Sequence, residues 1–362
     1  MKRVSRLFAL VAAAVVVSSC SGLFAPRRVG DNVILFIGDG MGDAQMEAAS
    51  YYATGTPDGL FIQNLSVAST VTTYSASSSV TDSAAAATAM ATGHKVANGV
   101  ISRDLSGSGR DITTILEMAS DSGLATGLVT TTYLTHATAA AFGAHVDTRT
   151  DYDGIARDYL SGSRPNVLFG GGENGLTAAS LLAAGYSVAT DTVSMRALAA
   201  SGDDYVAVVI GDAHLPYVYD GRPIGVPTLL EMTEAAIEVV SRDPDGFFLV
   251  VEAGRIDHAG HVHDIDRLIP EVLELDAVVE YVVRHLGSSG TTDIIVTADH
   301  ETGGLVVTSP GGVGTIPGVT WTADAHTGTP VSLFATGPSG IAFSTVTDNT
   351  HVFYRMRWVL DL

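Results

Sequence analysis

The feature that most constrains this chain is a series of short apolar runs, several of which stop at an acid. Residues 32–37 (NVILFI) end at Gly38-Asp39-Gly40. Residues 127–132, 167–169, 205–210, 247–252 and 293–298 are built alike, and the last two close on Glu252 and on Asp299-His300. Continuous runs of this length are the pattern of strands buried on both faces of a parallel sheet. Between them lie helical patterns at 44–53, 83–91, 112–120, 229–240 and 268–286. Alternating strands and helices predict an α/β fold with a central, mostly parallel β-sheet and helices on both faces, a three-layer sandwich. In such sheets the crossovers are right-handed, and ligands bind beyond the carboxyl ends of the strands. No internal repeat or long linker interrupts the pattern, which predicts one catalytic domain over residues 31–362. Its less patterned stretch, 150–226, is expected as a cap or insertion within that domain.

The N-terminus reads as an export signal. Lys2, Arg3 and Arg6 precede an unbroken apolar run over 7–17, which is short for a membrane span but suits a signal h-region. The run leads into Ser18-Ser19-Cys20, which resembles a bacterial lipobox. The expectation is a lipoprotein signal peptide over 1–19, a lipidated Cys20, and a tether over 20–30. The protein would then be exported and membrane-anchored, periplasmic or at the cell surface. Cys20 is the only cysteine, so an intrachain disulfide framework is excluded. The formal charge of -20 argues against nucleic-acid binding, because a phosphate backbone needs a cationic face. Cleavage before Cys20 removes those three positive charges and leaves 343 residues at -23.

Candidate site residues cluster where the runs end. Asp39 follows the first strand, and Asp257 and His261 lie in VEAGRIDHAGH after Glu252. Asp299 and His300 lie in TADHETGG, and His326 in TADAHTGTP. Imidazole with carboxylate is a zinc ligand set, and carboxylate with hydroxyl suits magnesium. The spacing from Asp257 to His261 puts both on one face if that stretch is helical. In TDSAAAATA, Asp82 or Ser83 fits the N-cap of an alanine-rich helix. A serine there also sees free amides and a positive dipole end, which favour a bound phosphate and an alkoxide. A metal ion would lower the hydroxyl pKa further.

These motifs, in this order, resemble the alkaline phosphatase family. They are IGDGMG (37–42), TDSAAAATA (81–89), TGHKVANGV (92–100), THATAAAFGAHVDTR (135–149), VEAGRIDHAGH (251–261), TADHETGG (297–304) and AHTGTPV (325–331). The compact length and GGGENG (170–175) are similar to short, cold-adapted bacterial members. The resemblance implies two Zn2+ and one Mg2+, phosphate monoesters as substrates, and a homodimer. It implies that Ser83 is the phosphorylated nucleophile and that Asp39, Asp299 and His300 hold the zinc that activates it. Asp257, His261 and His326 would hold the second zinc, and Asp39, Thr138 and Glu252 the magnesium. Arg149 would grip phosphate with its fork, which lysine does less well, and Asp82 would orient it.

Two positions vary within the family. His136 stands near the implied magnesium, and His258 near the implied phosphate. Neutral imidazoles there would hold phosphate less firmly than a cation would, giving easier product release and activation by added magnesium. His94, His145, His214, His263, His285 and His351 carry no assigned chemistry, and Trp321 is expected to pack in the core or a loop. A sulfatase would need a Cys/Ser-x-Pro-x-Arg motif, which Ser83-Ala84-Ala85 lacks. A surface protein that binds phosphate without turnover is the reading from another class, and it predicts no loss of function on Ser83→Ala.

Overall fold

The computed structural model describes residues 32–362 apart from 107, 108, 173 and 288. The expected signal peptide, Cys20 and the tether lie outside the described residues. A nine-stranded sheet forms the centre. Its strands are β1 (Asn32–Gly38), β2 (Val67–Val71), β3 (Ala125–Tyr133), β4 (Val167–Gly171), β5 (Ser187–Ala189), β6 (Val206–Ile210), β7 (Phe247–Ala253), β8 (Thr292–Ala298) and β9 (Val331–Thr336). They lie in the order β2-β9-β8-β1-β7-β3-β4-β6-β5. The six pairings from β8 to β5 are parallel, whereas β9 joins β8 and β2 antiparallel. β1, β7 and β8 are buried almost throughout, as their continuous apolar runs require.

Helices cover both faces of the sheet. On one side α1 (Asp43–Thr54), α5 (Leu229–Val240) and α7 (Ile265–Leu286) pack together. On the other lie α2 (Ser83–Thr92), α3 (Ile115–Asp121), α4 (Ala137–Gly143) and α8 (Asn349–Val359). The short helix α6 (Arg255–His261) follows β7 at the carboxyl edge. Every residue of α2 and of α4 is buried, and the two pack on each other. Their alanines and the glycine leave little side-chain bulk between the backbones, so Ser83 and Thr138 approach the same edge of the sheet.

The helix expected over 112–120 begins three residues later. Thr114 stops it there by forming a capping box with Glu117. Residues 150–226 contribute β4, β5 and β6 to the far edge of the central sheet. No helix among the described residues is long and apolar enough to cross a membrane.

The register is what builds the site. Gly38 pairs with Ala253 on one side and with Ala298 on the other. Ile37 pairs with Glu252, which also pairs with Thr130. The carboxyl ends of β1, β7 and β8 are therefore level, and Asp39, Glu252 and Asp299 emerge side by side.

Candidate active site

The three central strands deliver acids that burial and mutual repulsion make uncomfortable. Asp39, Glu252, Asp299 and His300 are fully buried. Burial, then the neighbouring carboxylates of Asp299, Asp257 and Glu252, push the Asp39 carboxyl well up. Burial raises Glu252 to about 7, and Asp299 to about 6. The same burial pushes His300 down to about 3. Asp39 Oδ1, Asp299 Oδ2, Glu252 Oε1 and His136 Nδ1 are buried without a hydrogen-bond partner. Unpartnered anionic oxygens aimed at one another mark positions suited to a cation.

Three groups of side chains lie close enough to share an ion. Asp257, His261 and His326 form the first; Asp39, Asp299 and His300 the second; Asp39, Glu252 and His136 the third. Within each group the potential ligand atoms lie within 4.8 Å of one another. In the first, Asp257 Oδ1 is 3.4 Å from the Nε2 atoms of both His261 and His326. Burial would raise Asp257, but the hydrogen bond with His326 and the charges of His300, His326 and His261 outweigh it and hold the carboxyl far below its usual range. In the second, His300 Nε2 is 3.7 Å from Asp39 Oδ1 and 3.3 Å from Asp299 Oδ2. Thr138 comes to the third group, donating from Oγ1 to Asp39 Oδ2 at 3.5 Å.

Ser83 opens α2 beside the second group, with Oγ 3.2 Å from His300 Nε2. Asp82 caps the helix, accepting from the Ala85 amide at 3.0 Å through Oδ1. Its Oδ2 accepts from the Gly99 amide at 3.0 Å and from Arg149 Nη1 at 3.2 Å. The second arm of the guanidinium donates to His136 Nε2 at 3.2 Å. Arg149 is thus held from two sides near the amide-rich start of a helix that carries a serine. Burial, then the charge of Arg149, keeps His136 well below its usual pKa.

Every expected site residue lies at this carboxyl edge, and further ones join it. Thr302 donates to Asp257 Oδ1 at 2.5 Å and contacts His300 Nδ1 at 3.3 Å. Thr130 donates to Glu252 Oε2 at 2.6 Å. Gly40 holds φ +71°, and a Cβ there would meet Asp257 Cα at 2.9 Å; its amide donates to Asp299 Oδ1 at 3.0 Å. His214 packs, as expected of it, but does so beside the site. It follows β6, stacks on Tyr133 with centroids 4.5 Å apart, and lies 4.5 Å from the ring of His258 and 5.8 Å from that of His136. Burial drives His214 to about 3 and His258 to about 4. The signal for His214 was in the sequence, since GDAHLP follows an apolar strand just as GDG follows β1. Trp321 ends a short strand (Gly318–Trp321), packs against the core as expected and stacks on His263 at 4.9 Å. Lys95 pairs with Asp348 at 3.1 Å and ties the loop before it to α8.

Comparisons with known proteins identify the family. The alkaline phosphatase family profile matches residues 30–180 and 178–316. Alkaline phosphatase 3 of Bacillus subtilis is 36% identical over 77% of this chain, and the match spans 63% of that relative's length. Alkaline phosphatase of Escherichia coli K12 is 31% identical over 91% of this chain and 86% of its own. The cold-active alkaline phosphatase from a Shewanella species superimposes with a TM-score of 0.82 at 29% identity, covering 91% of this chain and 99% of that one. A mutant of the enzyme from the Antarctic bacterium TAB5 has magnesium bound in its M3 site; its TM-score is 0.81 at 27% identity, over 92% of this chain and 98% of its own. The chain belongs to the alkaline phosphatase family, enzymes that hydrolyse phosphate monoesters.

Proposed function

We propose that this protein hydrolyses phosphate monoesters through a phosphoserine formed on Ser83, at a site holding two Zn2+ and one Mg2+. The observation that carries the reading is Ser83 Oγ beside His300, at a helix start, with Arg149 held between Asp82 and His136. The donor chemistry fits the metals. Asp257 with His261 and His326, and Asp39 with Asp299 and His300, offer nitrogen and carboxylate oxygen, which suit zinc. Asp39, Glu252 and the Thr138 hydroxyl offer oxygen alone, which suits magnesium. When bound, the metals would lower the pKa of a coordinated hydroxyl or water and neutralise charge gathering on the phosphoryl oxygens.

The protein's own part is positioning. Arg149 takes two phosphoryl oxygens with its planar fork, and Asp82 keeps that fork turned toward Ser83. The α2 amides and dipole favour the anion over water. Ser83 Oγ attacks phosphorus in line as the ester oxygen leaves, and the phosphate rests on Ser83 until a water displaces it from the opposite side. His136 and His258 add neutral rings around the phosphate, which supports easy product release.

The same reading extends to the chain's place and assembly. Its N-terminal sequence supports removal of residues 1–19, lipidation of Cys20, a tether over 20–30 and an exported, membrane-anchored catalytic domain over 31–362. The family supports a homodimer, which sedimentation of the full chain would reveal. The test of the activity is hydrolysis of p-nitrophenyl phosphate by the metal-replete protein. Loss with Ser83→Ala and with a chelator is expected; undiminished phosphate binding without any turnover favours the binding-protein reading.

A further inference from the structure

The anomaly that carries furthest is Arg255. Acids outnumber bases 39 to 19 in this chain. Arg103, Arg149, Arg196, Arg222, Arg267 and Arg284 all make ion pairs. Arg255 is partly buried and makes none among the described residues, and its Nε is buried without a partner. It lies over the Tyr217 ring at 3.8 Å and donates from Nη1 to His258 Nδ1 at 2.8 Å. Its nearest acids, Glu271 and Asp220, act on it only from beyond contact distance, so the guanidinium is partly withdrawn from water without a direct ion pair, and an anion in contact would relieve that cost.

The two rings beside it are turned into donors. A guanidinium always gives its proton, so His258 accepts at Nδ1 and keeps its hydrogen on Nε2. The Tyr133 amide donates to His214 Nδ1 at 3.3 Å, which leaves His214 with an Nε2 hydrogen as well. The ring centroids are 4.5 Å apart, and His258 lies 5.6 Å from His136, the partner of Arg149. The rings therefore run outward from His136 through His258 to His214, and the last two carry their hydrogens on Nε2. The loop bearing His214 is fixed to α7: Glu271 accepts from the Val218 amide at 2.8 Å, and Glu274 accepts from Arg222 Nη2 at 2.6 Å.

We propose that His214, His258 and Arg255 form a second anion subsite, which binds a phosphate or carboxylate on the part of the substrate that is not transferred. It rests on the phosphomonoesterase reading and adds a preference for doubly anionic substrates. Pyrophosphate is the smallest probe, with p-nitrophenyl phosphate as the reference lacking the second anion.

The experiment compares kcat/KM for pyrophosphate with kcat/KM for p-nitrophenyl phosphate in wild type, His214→Ala and His214→Gln. The ratio should fall about tenfold in H214A, the scale of one lost hydrogen bond to a charged group, chiefly through the pyrophosphate KM. H214Q, which keeps an N–H donor, should hold the ratio within about threefold of wild type, as partial retention of that bond implies. Arg255→Gln should lower it in the same direction. An unchanged ratio in H214A and R255Q overturns the subsite, as does an equal loss on both substrates. If the wild type hydrolyses neither probe, the activity reading has failed on its own. Calorimetry then decides the subsite: pyrophosphate binding more tightly than inorganic phosphate in wild type but not in H214A supports it, and equal affinities overturn it.

Discussion

Arg149 Nη2 lies 3.2 Å from His136 Nε2, so the phosphate-gripping guanidinium and the third metal group share one imidazole. Because arginine donates there, the remaining hydrogen sits on His136 Nδ1, which faces Glu252 Oε1 at 3.9 Å. In this arrangement His136 is a neutral donor beside the magnesium position and adds no negative charge to it. His136→Asp supplies that charge. We expect the variant to bind magnesium about tenfold more tightly, the scale of changes beside a metal's direct ligands. Activation by added magnesium should then largely disappear. Titration calorimetry with Mg2+, together with activity at rising Mg2+, reads both effects. An unaltered magnesium dependence contradicts the role given to His136.

Asp82 has two separable duties. Its Oδ1 caps α2, and its Oδ2 orients Arg149. Asp82→Asn keeps a capping oxygen but loses the charge facing Arg149, so KM should rise while the melting temperature barely moves. Asp82→Ala should lose roughly 1 kcal/mol of stability as well. Thermal melts and steady-state kinetics on the two variants separate the duties. Equal effects on both quantities would mean that Asp82 serves the helix alone.

Glu252 gives the metal-free protein a pH signature. Burial raises its folded pKa from 4.5 to about 7. The folded state therefore holds a proton that the unfolded state has released, and this group's contribution falls as pH rises between those two values. Glu252→Gln has no such loss. In chelator, the melting temperature of E252Q relative to wild type should climb from pH 4 to pH 7 and then level off. With magnesium present the order reverses, because only the wild type gains ion binding. At about a thousand times Kd that gain is roughly 4 kcal/mol, or on the order of 5–10 °C. A flat difference across the pH range contradicts the assignment.

Arg222 and Glu274 form a nearly buried ion pair, with side chains 7% and 12% exposed. Arg222→Ala leaves the carboxylate uncompensated and should destabilise the protein by roughly 3 kcal/mol, measured by denaturant unfolding. A loss below about 0.5 kcal/mol, the range of ordinary surface substitutions, would show that the loop over 211–226 is braced by other contacts.

Much of this arrangement was legible in the chain. Strands buried on both faces are written as unbroken apolar runs, so β1, β7 and β8 could be read with the acids that follow them. β2 (VASTV) hid because its middle is exposed or half-buried and its sequence is small and polar. α6 showed only as the condition that puts Asp257 and His261 on one face, because seven residues holding two histidines and a glycine carry no apolar helical period. Its fold depends on the edge it caps. The metal groups follow from strand ends that are level, a matter of register that no single run encodes. GDAHLP marks His214 as a strand-end residue, but its nearness to His258, and that of Arg255 to Tyr217, come only from the fold.

The most direct test of the central claim is to find the covalent intermediate. Metal-replete enzyme is mixed with p-nitrophenyl phosphate, quenched in acid and digested, and its peptides are weighed. We expect one phosphate on the peptide bearing Ser83. Ser83→Ala should show none, with turnover lower by roughly a thousandfold or more. Undiminished turnover by S83A, or phosphate on another residue, would contradict the account.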